Sequence, residues 1–185
     1  MKKIFSALLL AVLFTSSFSA IANFPVKISS SNRSGDDRDV KNFNGVAAGG
    51  PINVVITLGS TESCRFEGDA DAISTLITEV KGNVLIIRPQ NSWTSWEHKY
   101  QDKKITAYVT AKSITSLTMS GSGNMSVKGN VNSKTLSATL SGSGTIDIKA
   151  DDSIKAVISG SGNVNYSGNA TVEKTVIGSG RVRKI

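Results

Sequence analysis

Ala138-Thr139-Leu140-Ser141-Gly142-Ser143-Gly144-Thr145-Ile146-Asp147-Ile148 alternates apolar and polar residues on both sides of a Gly-Ser-Gly corner. Period-two alternation is the pattern of a strand with one buried face. Glycine suits the corner because it accepts positive φ and lets neighbouring backbones approach closely. The segment therefore reads as strand, corner, strand. The same element occurs at Gly121-Ser122-Gly123, Gly160-Ser161-Gly162 and Gly178-Ser179-Gly180, so the steps between first glycines are 21, 18 and 18 residues. A unit this short cannot bury its apolar face alone and has to stack on its own copies.

Aligned on the glycines, the apolar residues form columns. Met119, Leu140, Ile158 and Val176 precede the corner by two positions, and Leu117, Ala138, Ala156 and Lys174 by four, with Lys174 a defect. After the corner come Met125, Ile146, Val164 and Val182, then Val127, Ile148 and Tyr166. Stacked in register, such columns give parallel ladders about 4.8 Å apart with the apolar side chains inside. The expectation is an all-β fold, a single-stranded parallel β-helix (β-solenoid) with turns of about 18–21 residues. A helical repeat is excluded by the Gly, Ser, Thr, Val and Ile content and the missing three-to-four apolar spacing. A leucine-rich repeat lacks its leucine frame and asparagine ladder here.

Residues 1–22 read as a signal peptide. Lys2 and Lys3 precede the apolar run Ala7–Phe14, and Ala20-Ile21-Ala22 is a small-x-small cleavage site. The run falls short of the ~20 residues a retained membrane helix needs, and no later segment approaches it. The chain is thus expected to be exported to the periplasm, cell surface or extracellular space, and not to be an integral membrane protein. Residues 23–39 read as a polar linker, and residues 40–185 as the solenoid domain, with irregular turns over 40–111 and Gly-Ser-Gly turns over 112–185. In the irregular part Ile52–Leu58, Val84–Ile87 and Ile105–Val109 are strands by composition. Asp69 to Val80 is the one helix candidate, with Ile73, Leu76, Ile77 and Val80 at helical spacing behind a cap at Asp69 or Asp71.

Losing Lys2 and Lys3 with the leader lowers the formal charge from +7 to +5. The remaining bases are scattered, with no aromatic-interleaved basic patch, so nucleic acid is not an expected partner. A single Cys, Cys64, cannot form an internal disulfide and reads as a buried thiol.

Ordered segments then resemble a known family. Val40-Lys41-Asn42-Phe43-Asn44-Gly45-Val46, Gly50-Pro51-Ile52-Asn53-Val54-Val55-Ile56, Thr78–Ile87 and Leu117–Gly123 occur in sequence. Together they are similar to the bacterial head-GIN domain family, labelled "putative auto-transporter adhesin", over roughly residues 38–185. The resemblance implies an exported β-helical domain and carries no catalytic motif. Where the family often has Asp after Gly-Ser-Gly, this chain has Asn124, Thr145, Asn163 and Arg181.

Catalytic and metal chemistry find little support in the residues. Calcium needs six to eight oxygens, and only Asp147 lies near a suitable position. One His and one Cys do not make a zinc site. The carboxylate pairs a glycosidase would need, Asp147 with Asp151 or Asp152 and Asp69 with Asp71, fit turn and capping duty. The column Ser122, Ser143, Ser161 and Ser179 has no accompanying base. No catalytic residue, metal or cofactor is expected. One segment departs from its surroundings: Pro89–Lys104 holds Trp93, Trp96, His98 and Tyr100. Tryptophan and tyrosine offer large contact area to sugars or peptides, which makes this the candidate partner-binding loop. The functional expectation is a non-catalytic adhesion or cell-envelope interaction module, meeting an envelope glycan or surface protein. The alternative is a carbohydrate-active enzyme with its site on a solenoid face. In the last strand, Arg181, Arg183 and Lys184 read as charges that repel a second copy.

Overall fold

The computed structural model describes residues 35–90, 100 and 103–185. They form an almost entirely β structure of two sheets, which is the expected class. The first half contributes β1 (Asp36–Arg38), β2 (Gly45–Gly49), β3 (Ile52–Leu58), β4 (Ser63–Gly68), α1 (Ala70–Ile73), β5 (Leu76–Lys81), β6 (Val84–Pro89) and β7 (Ile105–Ala111). The second half contributes β8 (Ser116–Gly121), β9 (Asn124–Lys128), β10 (Leu136–Gly142), β11 (Thr145–Lys149), β12 (Ser153–Gly160), β13 (Asn163–Ser167), β14 (Thr171–Ile177) and β15 (Arg181–Lys184). One sheet has the order β1-β4-β7-β3-β9-β11-β13-β15 and the other β14-β12-β10-β8-β2-β6-β5.

In the second half each strand lies parallel to the strand two before or after it, with glycine beside glycine. Met119 pairs with Leu140, Leu140 with Ile158 and Ile158 with Val176. Met125, Ile146, Val164 and Val182 form the matching column in the other sheet. Leu117, Met119, Met125, Leu140, Ile146, Ile158 and Val164 are fully buried, so the columns deduced from the sequence are the core. Burying one such side chain contributes about 1.5–3 kcal/mol relative to exposure, an upper figure because unfolded chains are partly compact. The defect Lys174 stands beside Ala156 on an edge strand, where its ammonium reaches water.

Sequence order and spatial order part company in the first half. The β2–β3 unit is enclosed by later strands: β2 lies between β6 and β8, and β3 between β7 and β9. Gly50 takes the place of a Gly-Ser-Gly glycine, with φ of 85°, and its N–H donates to the Ser120 carbonyl at 2.8 Å. The chain therefore leaves β3 for the far end, returns through β4 to β7, and passes over β2–β3 to start β8. At that far end the pairing is antiparallel, β1 with β4, β4 with β7 and β5 with β6. The uniformly parallel arrangement expected from the repeats does not extend to it. Strand β1 falls inside the 23–39 stretch, and Asp36–Arg38 pair with Cys64–Phe66.

The helix candidate over 69–80 is a correction. Helix α1 covers four residues, capped by Asp69, whose carboxylate accepts from the Ala72 N–H at 3.0 Å. Leu76–Lys81 is instead a strand, joined to β6 through Gly82 and Asn83 at φ of 55° and 64°. Two successive positive φ values define the tight hairpin turn whose twist matches paired strands. A helix of that length is marginal in water, whereas the hairpin satisfies the backbone of β5 and suits Ile77, Thr78 and Val80.

Candidate functional site

The aromatic segment enters the fold at a corner. The connections β2–β3, β8–β9, β10–β11 and β12–β13 take two residues each, and β14–β15 takes three. Strand β6 ends at Pro89 and β7 begins at Ile105, so residues 90–104 are an insertion where the other strand pairs turn at once. Trp93, Trp96 and His98 lie outside the described residues.

Tyr100 is described, and it is buried at 3% exposure. Its hydroxyl donates to Thr75 Oγ1 at 2.5 Å and lies 3.4 Å from the Ala72 carbonyl oxygen. Thr75 Oγ1 in turn donates to the same carbonyl at 2.8 Å. Lys103 forms a salt bridge with Asp69, the α1 cap. That ammonium, followed by the Ala72 N–H, holds the Asp69 carboxyl below its ordinary range. On the other strand leading into the insertion, the Gln90 N–H donates to the Thr75 carbonyl at 2.9 Å. Both ends of the insertion are thus tied to α1 and the residues just after it. Sequence reading grouped Tyr100 with the contact aromatics; its place in the fold is at the base. The only forewarning was its position last in the aromatic run, next to the polar residues that lead into β7.

Other candidate chemistry resolves into hydrogen bonds between neighbouring units. Asp147 accepts from Asn165 Nδ2 at 2.8 Å. Asp151 accepts from the Asn169 N–H at 2.9 Å and from Asn130 Nδ2 at 2.7 Å, and these hold its carboxyl below the ordinary range. Cys64 is buried in β4, where desolvation pushes its thiol up to about 12, so it is not an ionised nucleophile near neutral pH. Ser122, Ser143, Ser161 and Ser179 are exposed at their corners. Among the described residues no group of three or more His, Cys, Asp or Glu could hold a metal ion, and no helix is long and apolar enough to cross a membrane.

Glu62 was not singled out in the sequence. Its side chain is 6% exposed and bonds the Asn42 N–H at 3.2 Å, the Phe43 N–H at 3.1 Å and Lys112 at 3.3 Å. It straps the loop after β3 onto the segment before β2, where Asn42 has φ of 60°. The Asn42 N–H contributes most to holding this carboxyl below its ordinary range.

A second feature lies on β14 and β15, each outermost in its sheet. Lys174, Val176, Gly180, Arg181, Val182 and Arg183 line an open cavity of about 400 Å³ there.

Solved structures align with the chain at low identity. A "putative cell adhesion protein" from Clostridium sporogenes aligns over 82% of this chain and 99% of its own, at 10% identity and TM-score 0.53. A "putative adhesin" from Bacteroides fragilis aligns over 82% and 96%, at 18% identity and TM-score 0.43. A "putative lipid binding protein" from Parabacteroides distasonis aligns over 82% and 96%, at 15% and 0.41. No curated protein matches the chain. The sequence itself matches a family model over residues 42–184, which spans every strand but β1, and the chain belongs to that family, described as "Putative auto-transporter adhesin, head GIN domain".

Proposed function

We propose that the protein is an exported, non-catalytic adhesion-type module, a β-solenoid that presents the insertion at residues 90–104 to an envelope glycan or surface protein. The observation that carries this reading is the insertion at a single corner, tied at its base by Tyr100 and Lys103. A rigid scaffold with one enlarged connection is the usual arrangement for a recognition loop. Trp93 and Trp96 supply the contact area, and Tyr100 anchors the loop. The in-register ladders from β8 to β15 support the solenoid description, with 40–111 as its irregular part and 112–185 as its repeating part. Residues 1–22 direct export, and residues 23–39 form a largely polar lead-in. The family description and the name of the Clostridium sporogenes neighbour agree with adhesion. The compartment in this reading is the periplasm, cell surface or exterior.

The test is purified protein screened against envelope glycans and whole cells, with product release followed in parallel. Binding without turnover, weakened by Trp93→Ala with Trp96→Ala, supports the reading. Release of shortened sugar products overturns the non-catalytic part, and undiminished binding by the double variant overturns the loop assignment.

A further inference from the structure

We propose that the open edges of β14 and β15 take up an acidic, extended polypeptide segment of a partner protein as an added strand. Backbone alternation sets up the edge. The Arg181 and Ile185 N–H groups donate back to Gly162 and Tyr166 of the preceding unit, at 3.1 and 2.8 Å. In a parallel ladder alternate residues bond to the same side, so the Val182 and Lys184 backbone groups face the open side. Thr171 N–H likewise donates back to Asp152 at 2.9 Å, which leaves Val172, Lys174 and Val176 facing outward from the stack. An edge of this kind is a template for strand addition.

Side chains choose the occupant. Lys174, Arg181, Arg183 and Lys184 are exposed, and the one acid of β14, Glu173, also exposed, pairs with Lys155 at 3.8 Å, which leaves a surplus of cations along the edge. Val176 and Ile177 are 38% and 66% exposed, and Ile185 is 73% exposed, so the rim carries apolar groups beside the cationic ones. A second copy docked edge to edge would set these four cations against themselves, which is destabilising for like charges directly opposite. The chain's own 23–34 segment carries Lys27 and Arg33 and no acid, so it brings the wrong charge. An incoming strand with acids at every second residue places them beside Arg181 and Arg183, which share the outer face of β15 next to Asn163 and Asn165. Its alternate apolar residues then lie over Val182 and Val176 in the cavity. The charges that reject a copy thus select an acidic strand.

The full chain should bind a synthetic peptide of alternating Glu and Val better than a peptide of the same composition with Glu and Val in blocks. Arg181→Gln with Arg183→Gln should weaken that binding by about tenfold or more at low salt, while Tm holds. Val182→Pro removes an N–H on the open side and leaves every cation in place. It should abolish peptide binding yet retain attraction to phosphatidylglycerol vesicles or polyglutamate. Equal binding of the block peptide, or indifference to Val182→Pro, overturns the proposal in favour of a general polyanion patch. Vesicle binding without peptide binding assigns the edge to a membrane surface and overturns it too, as does no peptide binding up to about 1 mM, the weak end of specific association.

Discussion

Three glycine-to-alanine substitutions separate the two reasons a corner needs glycine. At Gly142 both apply: φ is 116°, and an added Cβ would stand 2.4 Å from the Gly121 carbonyl oxygen. At Gly144 only the close approach applies, with the Gly123 carbonyl oxygen 2.1 Å from the added atom. Gly129 has φ of 102° and nothing within 4 Å, so only the backbone preference applies. Holding a side-chain-bearing residue in such a conformation costs about 1–3 kcal/mol. At Gly142 the obstructing oxygen also accepts from the Ser143 and Gly144 N–H groups at 3.0 and 3.1 Å, so moving it strains two bonds of about 0.5–1.5 kcal/mol each. Gly142→Ala should therefore destabilise by about 2–6 kcal/mol and Gly129→Ala by about 1–3. Each kcal/mol lowers Tm by about 2–4 °C at this chain length, so thermal unfolding followed by far-ultraviolet circular dichroism resolves the order. Gly142→Ala should fall furthest, with Gly144→Ala clearly below wild type. Equal shifts for Gly142→Ala and Gly129→Ala, or a harmless Gly144→Ala, would refute the claim that successive corners are in backbone contact.

Trp93→Ala with Trp96→Ala should leave the circular dichroism spectrum and Tm near wild type while weakening cell or glycan binding; global unfolding of the double variant would place the tryptophans in the core instead. Tyr100→Phe removes a buried hydroxyl partnered by Thr75 and should cost about 1–2 kcal/mol, with raised protease sensitivity between Pro89 and Lys104. The Glu62 carboxyl is depressed in the folded state, so its contribution is present above the ordinary carboxylate range and lost as pH falls through its lower folded value. Glu62→Gln should accordingly lower Tm at pH 7, and the gap to wild type should shrink on acidification; a pH-independent gap would show that the charge is immaterial.

Where the sequence was legible, local pattern and tertiary pairing agreed. The columns through Leu140 and Ile146 could be read because each repeat pairs with a neighbour of the same pattern, so alignment on glycine is also alignment in space. Neither condition holds for residues 40–111. Gly50-Pro51-Ile52 performs the corner of a Gly-Ser-Gly without sharing its letters, and its partner, Gly121, is 71 residues away. The helix over 69–80 was misjudged because Leu76, Ile77 and Val80 satisfy helical spacing by coincidence. The Gly82-Asn83 turn that decides for a hairpin lay just beyond the window. At the candidate loop, composition located the insertion but could not tell a contact aromatic from an anchoring one. That distinction depends on Thr75 and the Ala72 carbonyl, brought beside Tyr100 by α1 and β5. The basic edge was visible as charge alone; which backbone groups face outward follows only from the register of β13 against β15.

The enclosed position of β2 and β3 bears on how the molecule holds together. A regular stack of repeats can gain or lose units at its end, because each contacts only its neighbours. Here the strand pair that begins the repeating ladders, β8 with β9, rests on β2 and β3 rather than on the strand that precedes it in the chain. The same β2 and β3 are covered on their other side by β6 and β7, which carry the insertion at their shared corner. Residues 45–58 are therefore the common template for the loop-bearing unit and for the ladder that ends at the basic edge. Neither part can assemble fully before that segment is in place, and contacts so distant in sequence carry a substantial closure cost that must be met before they stabilise anything. The sequence repeat suggests independent units, but the topology ties them to one shared segment, with β6 and β7 toward one end of the sheets and the cationic edge at the other.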